Sequence, residues 1–552
     1  MKVLLLGGTG VFGSRLARLL IRDGHAVTVA ARHLPAARKL ADALGATAIR
    51  MDRTGDLSAL AGHEVLVDAA GPFHTSGATK IDPYRLARAA IAARVHYFDL
   101  SDDAAFCEGI SALDADARAA GVCVISGLST VPALSSAVVR ALAGDTAPRL
   151  IDTAILPGNR SPRGISVMTS ILAQAGRPMT VWRGGAWVHA RGWSDPRDYV
   201  LPGGSVRQAW QIEVPDQSLF PAHFGAESVV FRAGLELGIM RYGLAAFAVL
   251  RRWLPIPVNR PLVRVFKLAA DLLSPFGTGR GGMSVQVIVG QERRWWRLLA
   301  EEGDGPFIPA VAARAMLRRP ALPAGARPAL DVIDLEEAVS AMADLRIRTE
   351  TASERFIPIF PRVLGSDFDL LPRPVRATHG TADVSRWQGV ASVRRGTGLW
   401  SRFLGRLFGF PPAGDEVPVQ VTKTVTNAGE TWQRRFGTRT FRSRLAATAD
   451  GMTESFGPFT FLLGLEVRGE ALFYPVKAGW VLGVPLPRWL LPASDARECA
   501  QDGRFVFDVR LVTPLKRDLL VHYRGHLAPL VPEAGDAHVV EDRRVAASSQ
   551  GA

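Results

Sequence analysis

The chain opens on a strand, a glycine turn and a helix in unbroken succession. Lys2–Leu6 is an apolar run that reads as a short buried strand. Gly7-Gly8-Thr9-Gly10-Val11-Phe12-Gly13 follows, and then Ser14-Arg15-Leu16-Ala17-Arg18-Leu19-Leu20, with apolar residues at helical spacing. Gly8, Gly10 and Gly13 stand at the G-x-G-x-x-G spacing. On this reading Gly8 permits the tight turn, Gly10 lets the backbone approach a pyrophosphate, and Gly13 lets the helix pack closely on its strand. The phosphates then rest on the free N–H groups and positive end of that helix, so Thr9, Val11 and Phe12 join the three glycines as cofactor-binding candidates.

The second strand bears on which dinucleotide is bound. His25–Arg32 is a β-rich run, and its end lies where an NAD-binding chain carries Asp or Glu for the ribose 2′-hydroxyl. Ala31 and Arg32 occupy that place. An arginine pairs with a 2′-phosphate, and the missing carboxylate removes the repulsion that would exclude it, which favours NADP, with NAD as the alternative. A solvated arginine at the start of the next helix is the plainer reading, since His33-Leu34-Pro35 follows.

Strand-like and helix-like segments then keep alternating. Residues 48–52, 65–70, 96–100 and 122–126 read as strands, with helical patterns over 84–94 and 112–120. This is the cadence of a doubly wound parallel sheet, whose ligands bind beyond the carboxyl ends of the strands. That rule nominates Asp52, the run Ala69, Ala70, Gly71, Pro72 and Phe73, the stretch Asp99–Asp102, and Ser126–Thr130 as the rim of the cleft. Residues there able to exchange protons are His74, Lys80, Asp82, Tyr97, Asp99 and Asp102, of which Asp99, Tyr97 and His74 are the catalytic candidates. Each has a structural alternative: Asp99 as a helix cap, His74 as a solvated loop residue. A Tyr-x-x-x-Lys pair, as in short-chain reductases, is missing, for Tyr84 is followed four residues on by Arg88 and Tyr97 by Ser101.

At 552 residues and 48% hydrophobic, the chain has room for about three domains and none of the composition of disorder. Its formal charge of +14 is unevenly spread. Residues 1–130 hold 14 Lys+Arg against 13 Asp+Glu, and residues 131–394 hold 32 against 23, so the basic excess lies downstream of the cofactor domain. The arginines are scattered and no nucleic-acid motif accompanies them, so nucleic acid is not an expected partner. Cys107, Cys123 and Cys499 are far apart and odd in number, which fits neither a disulfide framework nor a metal site and suits a reducing cytoplasm. The most apolar stretch, 229–250, contains Arg232, Glu236 and Arg241 and fails as a membrane span.

Residues 239–276 interleave basic and large apolar residues around Trp253. One reading sets them in a membrane interface, with arginines at the headgroups. The other makes them two helices broken by Pro255 and Pro257, packed over a substrate domain with arginines facing water.

Four stretches together resemble the successive motifs of saccharopine-dehydrogenase-like oxidoreductases: Gly7–Gly13, Ala69–Phe73, Arg94–Leu100 and Gly121–Pro132. The resemblance covers the first 140 residues and continues loosely to Glu302–Pro309. It implies a Rossmann domain, placed at 1–135, followed by an α+β domain at 136–385 whose sheet closes over the nicotinamide. It does not imply lysine metabolism, because no stretch identifies a glutamate or saccharopine pocket.

From Gly396 the texture changes. Leu399–Phe408 reads as an amphipathic helix stopped by Gly409-Phe410-Pro411-Pro412, and short strand-like runs with turn signals follow from Val417 to Tyr523. Residues 395–531 are therefore expected to form a β-rich half-barrel or barrel, with 532–552 a disordered tail. The stretches 396–414, 434–445 and 485–492 resemble a bacterial domain of unknown function often fused behind saccharopine-dehydrogenase-like modules. Its aromatics Phe436, Phe441, Phe459, Phe461, Trp480, Trp489 and Phe505 either enclose an apolar ligand or fill a core. The arginines 434, 435, 439, 442 and 444 offer a docking alternative.

The expectation is thus an α/β protein: a cytoplasmic NADP-dependent oxidoreductase passing hydride to or from a C=N, C=O or C=C bond of a hydrophobic, lipid-like small molecule. Its competitor is a non-catalytic NADP-binding sensor or scaffold, resting through residues 239–276 on a membrane surface or partner.

Overall fold

The computed structural model describes residues 1–71, 73, 82–407, 409–426, 428–513 and 518–530. Pro72, His74, Lys80 and the expected tail past Pro532 lie outside the described residues.

Six strands follow in chain order: β1 (Lys2–Leu6), β2 (Ala26–Ala31), β3 (Thr47–Arg50), β4 (Val65–Asp68), β5 (His96–Asp99) and β6 (Cys123–Ser126). They pair in parallel in the order 3-2-1-4-5-6, and Gly325–Pro328 adds a seventh parallel strand beside β6. The order reverses between β1 and β4, which opens a crevice at their carboxyl ends. Val3 to Leu6 and Val65 to Val67 are all buried, as near-continuous apolar strands covered on both faces must be. Helix α1 (Val11–Arg22) buries Gly13, Leu16, Ala17, Leu19 and Leu20, one face at helical spacing, and leaves Arg15 and Arg18 off it.

A second, nine-stranded mixed sheet is centred on Leu150–Leu156, which runs parallel to Val229–Gly234 and antiparallel to Gly281–Val289. Between the two sheets lie the helices Ser135–Ala143, Pro215–Phe224 and Ile308–Leu317, and Leu16, Val139, Phe220, Val285 and Ala310 belong to one continuous core. The fully buried Arg314 guanidinium reinforces that join by donating to Asp23 at the end of α1 and to Asp344. Removing one partner of such a buried pair typically costs about 3–5 kcal/mol. The segments expected as domains 1–135 and 136–385 therefore share one core over most of their length. The other face of the mixed sheet is covered by Ile165–Gln174, Gly238–Trp253 and Arg260–Leu273, through Leu172, Phe231, Leu244, Ala248 and Val263.

The chain divides into two compact units, and Arg355 begins the main part of the second. This differs from the boundary expected at 385–395. Val384–Arg395, which spans that expected boundary, is a twelve-residue strand of a thirteen-stranded antiparallel sheet. It pairs on one side with Gly414–Thr426 and on the other with Leu519–Pro529, and buries Trp387, Ala391 and Val393. Gly389 is there for close approach, since a Cβ on it would lie 1.9 Å from the His526 carbonyl oxygen. Hairpins carry the sheet onward, and its terminal strands Glu466–Arg468 and Val484–Pro485 are not paired with each other. The outcome is an open, curled sheet with helix Leu399–Leu407.

The glycine turn and the strand ends around it

The turn is built as its spacing requires, with one change of roles. Gly7, not Gly8, holds the left-handed conformation, at φ +75°, and a Cβ on it would come within 2.7 Å of the Ala69 and Ala70 backbone. The turn and the rim after β4 thus touch directly. Gly8 is a packing glycine, its Cβ position 2.9 Å from Val29 Cγ1. At Gly13 a Cβ would lie 2.4 Å from the Gly7 carbonyl oxygen and 2.9 Å from Gly8 Cα, so α1 can sit on β1 only with glycine there. Gly10 differs: its φ of −72° suits any residue, and its Cβ would meet only the Gly7 oxygen, at 3.2 Å. The space above Gly10 is open.

Gly10 caps α1 without a side-chain hydrogen bond, while its own N–H goes to the Gly7 carbonyl at 2.9 Å and its carbonyl accepts from Ser14. The first-turn N–H groups of Val11, Phe12 and Gly13 are left for an acceptor from outside the helix. Thr9 and Gly10 are exposed and Val11 and Phe12 half-buried. An uncapped N-terminus, an open approach and no first-turn carboxylate fit the pyrophosphate of a dinucleotide.

Arg32 is exposed just past the end of β2. Asp52, just past β3, accepts from the Thr54 N–H at 2.9 Å and hydroxyl at 2.7 Å, and these bonds, with the Arg32 and Arg50 charges, hold its carboxyl below the usual range. At the end of β4, the buried Asp68 accepts from the Ala70 N–H at 2.9 Å and pairs with Arg53, whose guanidinium also lies 4.7 Å from the Phe73 ring centroid. Ala70 and Phe73 are thereby fixed, and Gly71 is exposed between Ala70 and the undescribed Pro72. Sequence reasoning missed Arg53 and Asp68, although an aspartate closing a fully apolar strand signals a buried charge in need of a partner.

The catalytic candidates fare differently. Tyr97 and Asp99 are fully buried. Asp99 Oδ1 accepts from the Gly127 N–H at 2.8 Å, the Ser101 N–H at 3.0 Å and the Ser126 hydroxyl at 3.0 Å, tying the ends of β5 and β6 together. Burial pushes its carboxyl up to about 7, and its Oδ2 has no partner among the described residues. Burial also pushes the Tyr97 phenol well above its ordinary value. Asp82 accepts from the Tyr84 N–H in its own turn and from Arg88. Asp216, on Pro215–Phe224, escaped the sequence reading: it is fully buried beside Ser135, under the segment that follows β6, and burial raises its carboxyl to about 7. The Glu302–Pro309 stretch leads into Ile308–Leu317 and packs on α1, with the Arg15 guanidinium 5.6 Å from the Phe307 ring centroid.

Residues 3–125 match the family described as the saccharopine dehydrogenase NADP binding domain. Residues 371–527 match a domain of unknown function, DUF4166, which places the second family match wholly within the second unit. Among solved structures, apo saccharopine dehydrogenase (L-Glu forming) from Saccharomyces cerevisiae is 15% identical, aligning over 64% of this chain and 99% of its own, with a TM-score of 0.42. Ribose-5-phosphate isomerase from Brucella melitensis (19% identity; 23% of this chain and 66% of that one; TM-score 0.19) and hydroxysteroid dehydrogenase from Escherichia coli (18%; 23% and 72%; 0.19) match over a shorter stretch. Comparison with curated proteins finds no match. The match over residues 3–125 supports an NADP-binding amino-terminal domain.

Proposed function

We propose that the first unit is an NADP-dependent oxidoreductase acting on a C=N, C=O or C=C bond of an apolar substrate. The observation that carries this reading is the uncapped N-terminus of α1 beneath the open face of Gly10, in a domain of an NADP-binding family. Gly8 to Gly13 hold the pyrophosphate, Arg32 pairs with the 2′-phosphate, and Ala70, Gly71 and Phe73 wall the crevice at the β1/β4 reversal. When bound, the nicotinamide supplies or accepts the hydride. Asp99 acts as a positioning residue: it holds the loops after β5 and β6 in place from below, with its charge withdrawn from water. Incubation of the protein with NADPH and panels of apolar aldehydes, ketones, imines and enones, followed by absorbance and product mass, tests the reading. Substrate-dependent NADPH oxidation supports it, and tight NADPH binding with no turnover on any panel favours the sensor instead.

The helices Gly238–Trp253 and Arg260–Leu273 support a second reading, attachment to an anionic membrane surface. Their inner faces pack on the mixed sheet, while Ile239, Tyr242, Trp253, Val265, Leu268 and Leu272 are exposed, Trp253 at 80%. Arg252, Arg260 and Arg264 are exposed on the same two helices. Apolar side chains flanked by arginines match the acyl boundary and headgroups of such a surface. No described helix is long and apolar enough to cross a membrane. Co-sedimentation with anionic vesicles, lost on Trp253→Glu, is the expected result, and equal recovery with and without vesicles refutes the attachment.

A further inference from the structure

In the second unit, strand alternation sends every other side chain to the concave face of the curled sheet. Gly414–Thr426 contributes Val419 and Val421 and then, at the next inward position, Lys423. Gly429–Phe436 contributes Trp432 and Phe436, with Glu430 and Arg434 at the same inward spacing. The concavity has a volume of about 280 Å³, opens to solvent, and has walls that are mostly apolar, including Phe436, Phe441, Leu445, Met452, Phe461 and Phe507.

The polar groups of this concavity are nearly all spent on one another. Glu498 accepts from Tyr474 at 2.6 Å and from the neutral His379 Nε2–H at 2.5 Å, and burial holds His379 unprotonated, down to about 4. Arg434 donates to the Ser443 hydroxyl at 2.7 Å and to Glu454 at 3.1 Å, and Glu430 accepts from the Trp432 indole at 2.8 Å. Lys423 is the exception. Its side chain is fully buried on the cavity wall, donates one hydrogen bond, to the Thr378 carbonyl at 2.8 Å, and rests 3.8 Å from the Trp432 ring centroid. It makes no ion pair among the described residues. An ammonium has three donors, and the carbonyl and the ring account for two. A donor facing an apolar cavity without an acceptor is costly, and burial lowers the Lys423 pKa accordingly.

We propose that this concavity binds one elongated or polycyclic apolar molecule carrying a single oxygen acceptor, which completes the hydrogen bonding of Lys423 while the apolar body fills the space between Phe436, Leu445 and Phe507. The acceptor is a carboxylate, hydroxyl or carbonyl oxygen; the neighbouring Glu430, Glu454 and Glu498 already have donors. The site is complete within the second unit, and its occupancy is independent of hydride transfer in the first.

Three fluorescent probes test the site on the full chain: an eighteen-carbon conjugated tetraene acid, the corresponding alcohol, and the unsubstituted tetraene hydrocarbon. The site binds the acid, the alcohol or both saturably at one per chain, and which of them binds more tightly identifies the head group. Leu445→Trp, which fills the space, lowers affinity for every probe at least tenfold. Lys423→Met lowers affinity for the oxygen-bearing probes at least tenfold and leaves the hydrocarbon unchanged. Because that variant replaces a buried amine by a side chain of similar length, thermal unfolding checks that the second unit stays folded. Equal binding of the acid and alcohol by wild type and a folded Lys423→Met protein overturns the proposal. So does binding insensitive to Leu445→Trp, or no saturable binding of any probe.

Discussion

Two carboxyls of the first unit, Asp99 and Asp216, are fully buried and pushed up by that burial, as are the Tyr97 phenol and the Cys107 thiol. In the second, burial lowers the bases His379 and Lys423. The acid at the end of β5 accepts from two backbone N–H groups and a hydroxyl, holding strand-end loops in place under the rim of a cofactor cleft. His379 Nε2 is held within a polar cluster, whereas Lys423 faces an apolar space with a donor to spare. Buried charge chemistry thus supports backbone in one unit and, on our proposal, awaits a ligand in the other.

The strongest way to break this comparison is to damage each unit separately. Gly13→Val places a side chain 2.4 Å from the Gly7 oxygen, and Gly525→Val places one 2.3 Å from the Val390 oxygen. Each is expected to cost more than about 4 kcal/mol, the scale of a severe backbone clash. Hydrogen exchange should show loss of protection confined to the damaged unit. Protection lost throughout the chain after either substitution means that the units do not unfold separately.

A smaller effect, of opposite sign in the two units, comes from pH. The Asp99 carboxyl is raised from 3.8 to about 7, so the folded first unit binds the extra proton between these values. Its contribution is fully present below 3.8 and is lost as pH rises through 7, up to about 4 kcal/mol. Asp99→Asn should therefore stabilise the first unit at pH 8 and change little at pH 4. His379 is lowered from 6.5 to about 4, so here the unfolded state binds the extra proton and stability falls as pH drops from 6.5 to 4, by up to about 3 kcal/mol. His379→Gln should flatten that acid limb. Hydrogen exchange across pH 4–8 reads both units at once, and parallel slopes in the two variants contradict the contrast.

The two units also differ in how much of them their sequence discloses. Every strand of the parallel sheet up to β6 is legible, because each is an apolar run bounded by helical periodicity, and the glycine turn is local in sequence. The seventh strand is not: Gly325–Pro328 is four residues long and reaches β6 from some 200 positions away. The shared core of the first unit depends on contacts such as Asp23 with Arg314, which no local pattern records. In the second unit the hairpins marked by Gly429 and Gly451 are legible, while Val384–Arg395 is hidden by Gly389, a residue present for the sake of a neighbouring strand. Lys423 looks like a surface lysine until the alternation of its strand turns it inward.

A still finer test concerns Arg32, whose loss should change the first unit alone. Arg32→Ala is expected to weaken NADPH binding by about 1–3 kcal/mol, the worth of a charge-assisted pair, and to leave NADH binding and the second unit unchanged. Isothermal titration with both cofactors measures it. An equal loss for NADPH and NADH places Arg32 elsewhere than at the 2′-phosphate.

The turn from Gly7 to Gly13 is the proposed cofactor site, and Gly10 isolates it because its backbone and the open space above it admit a side chain while a bound pyrophosphate would not. Titration of NADPH into the full chain and into Gly10→Val, with thermal unfolding of both, is the direct measurement. Saturable NADPH binding by the wild type, a loss of at least 100-fold in affinity in Gly10→Val, and unfolding temperatures within a few degrees of each other are expected. NADPH bound equally well by a folded Gly10→Val protein, or not bound by the wild type, contradicts the proposed site.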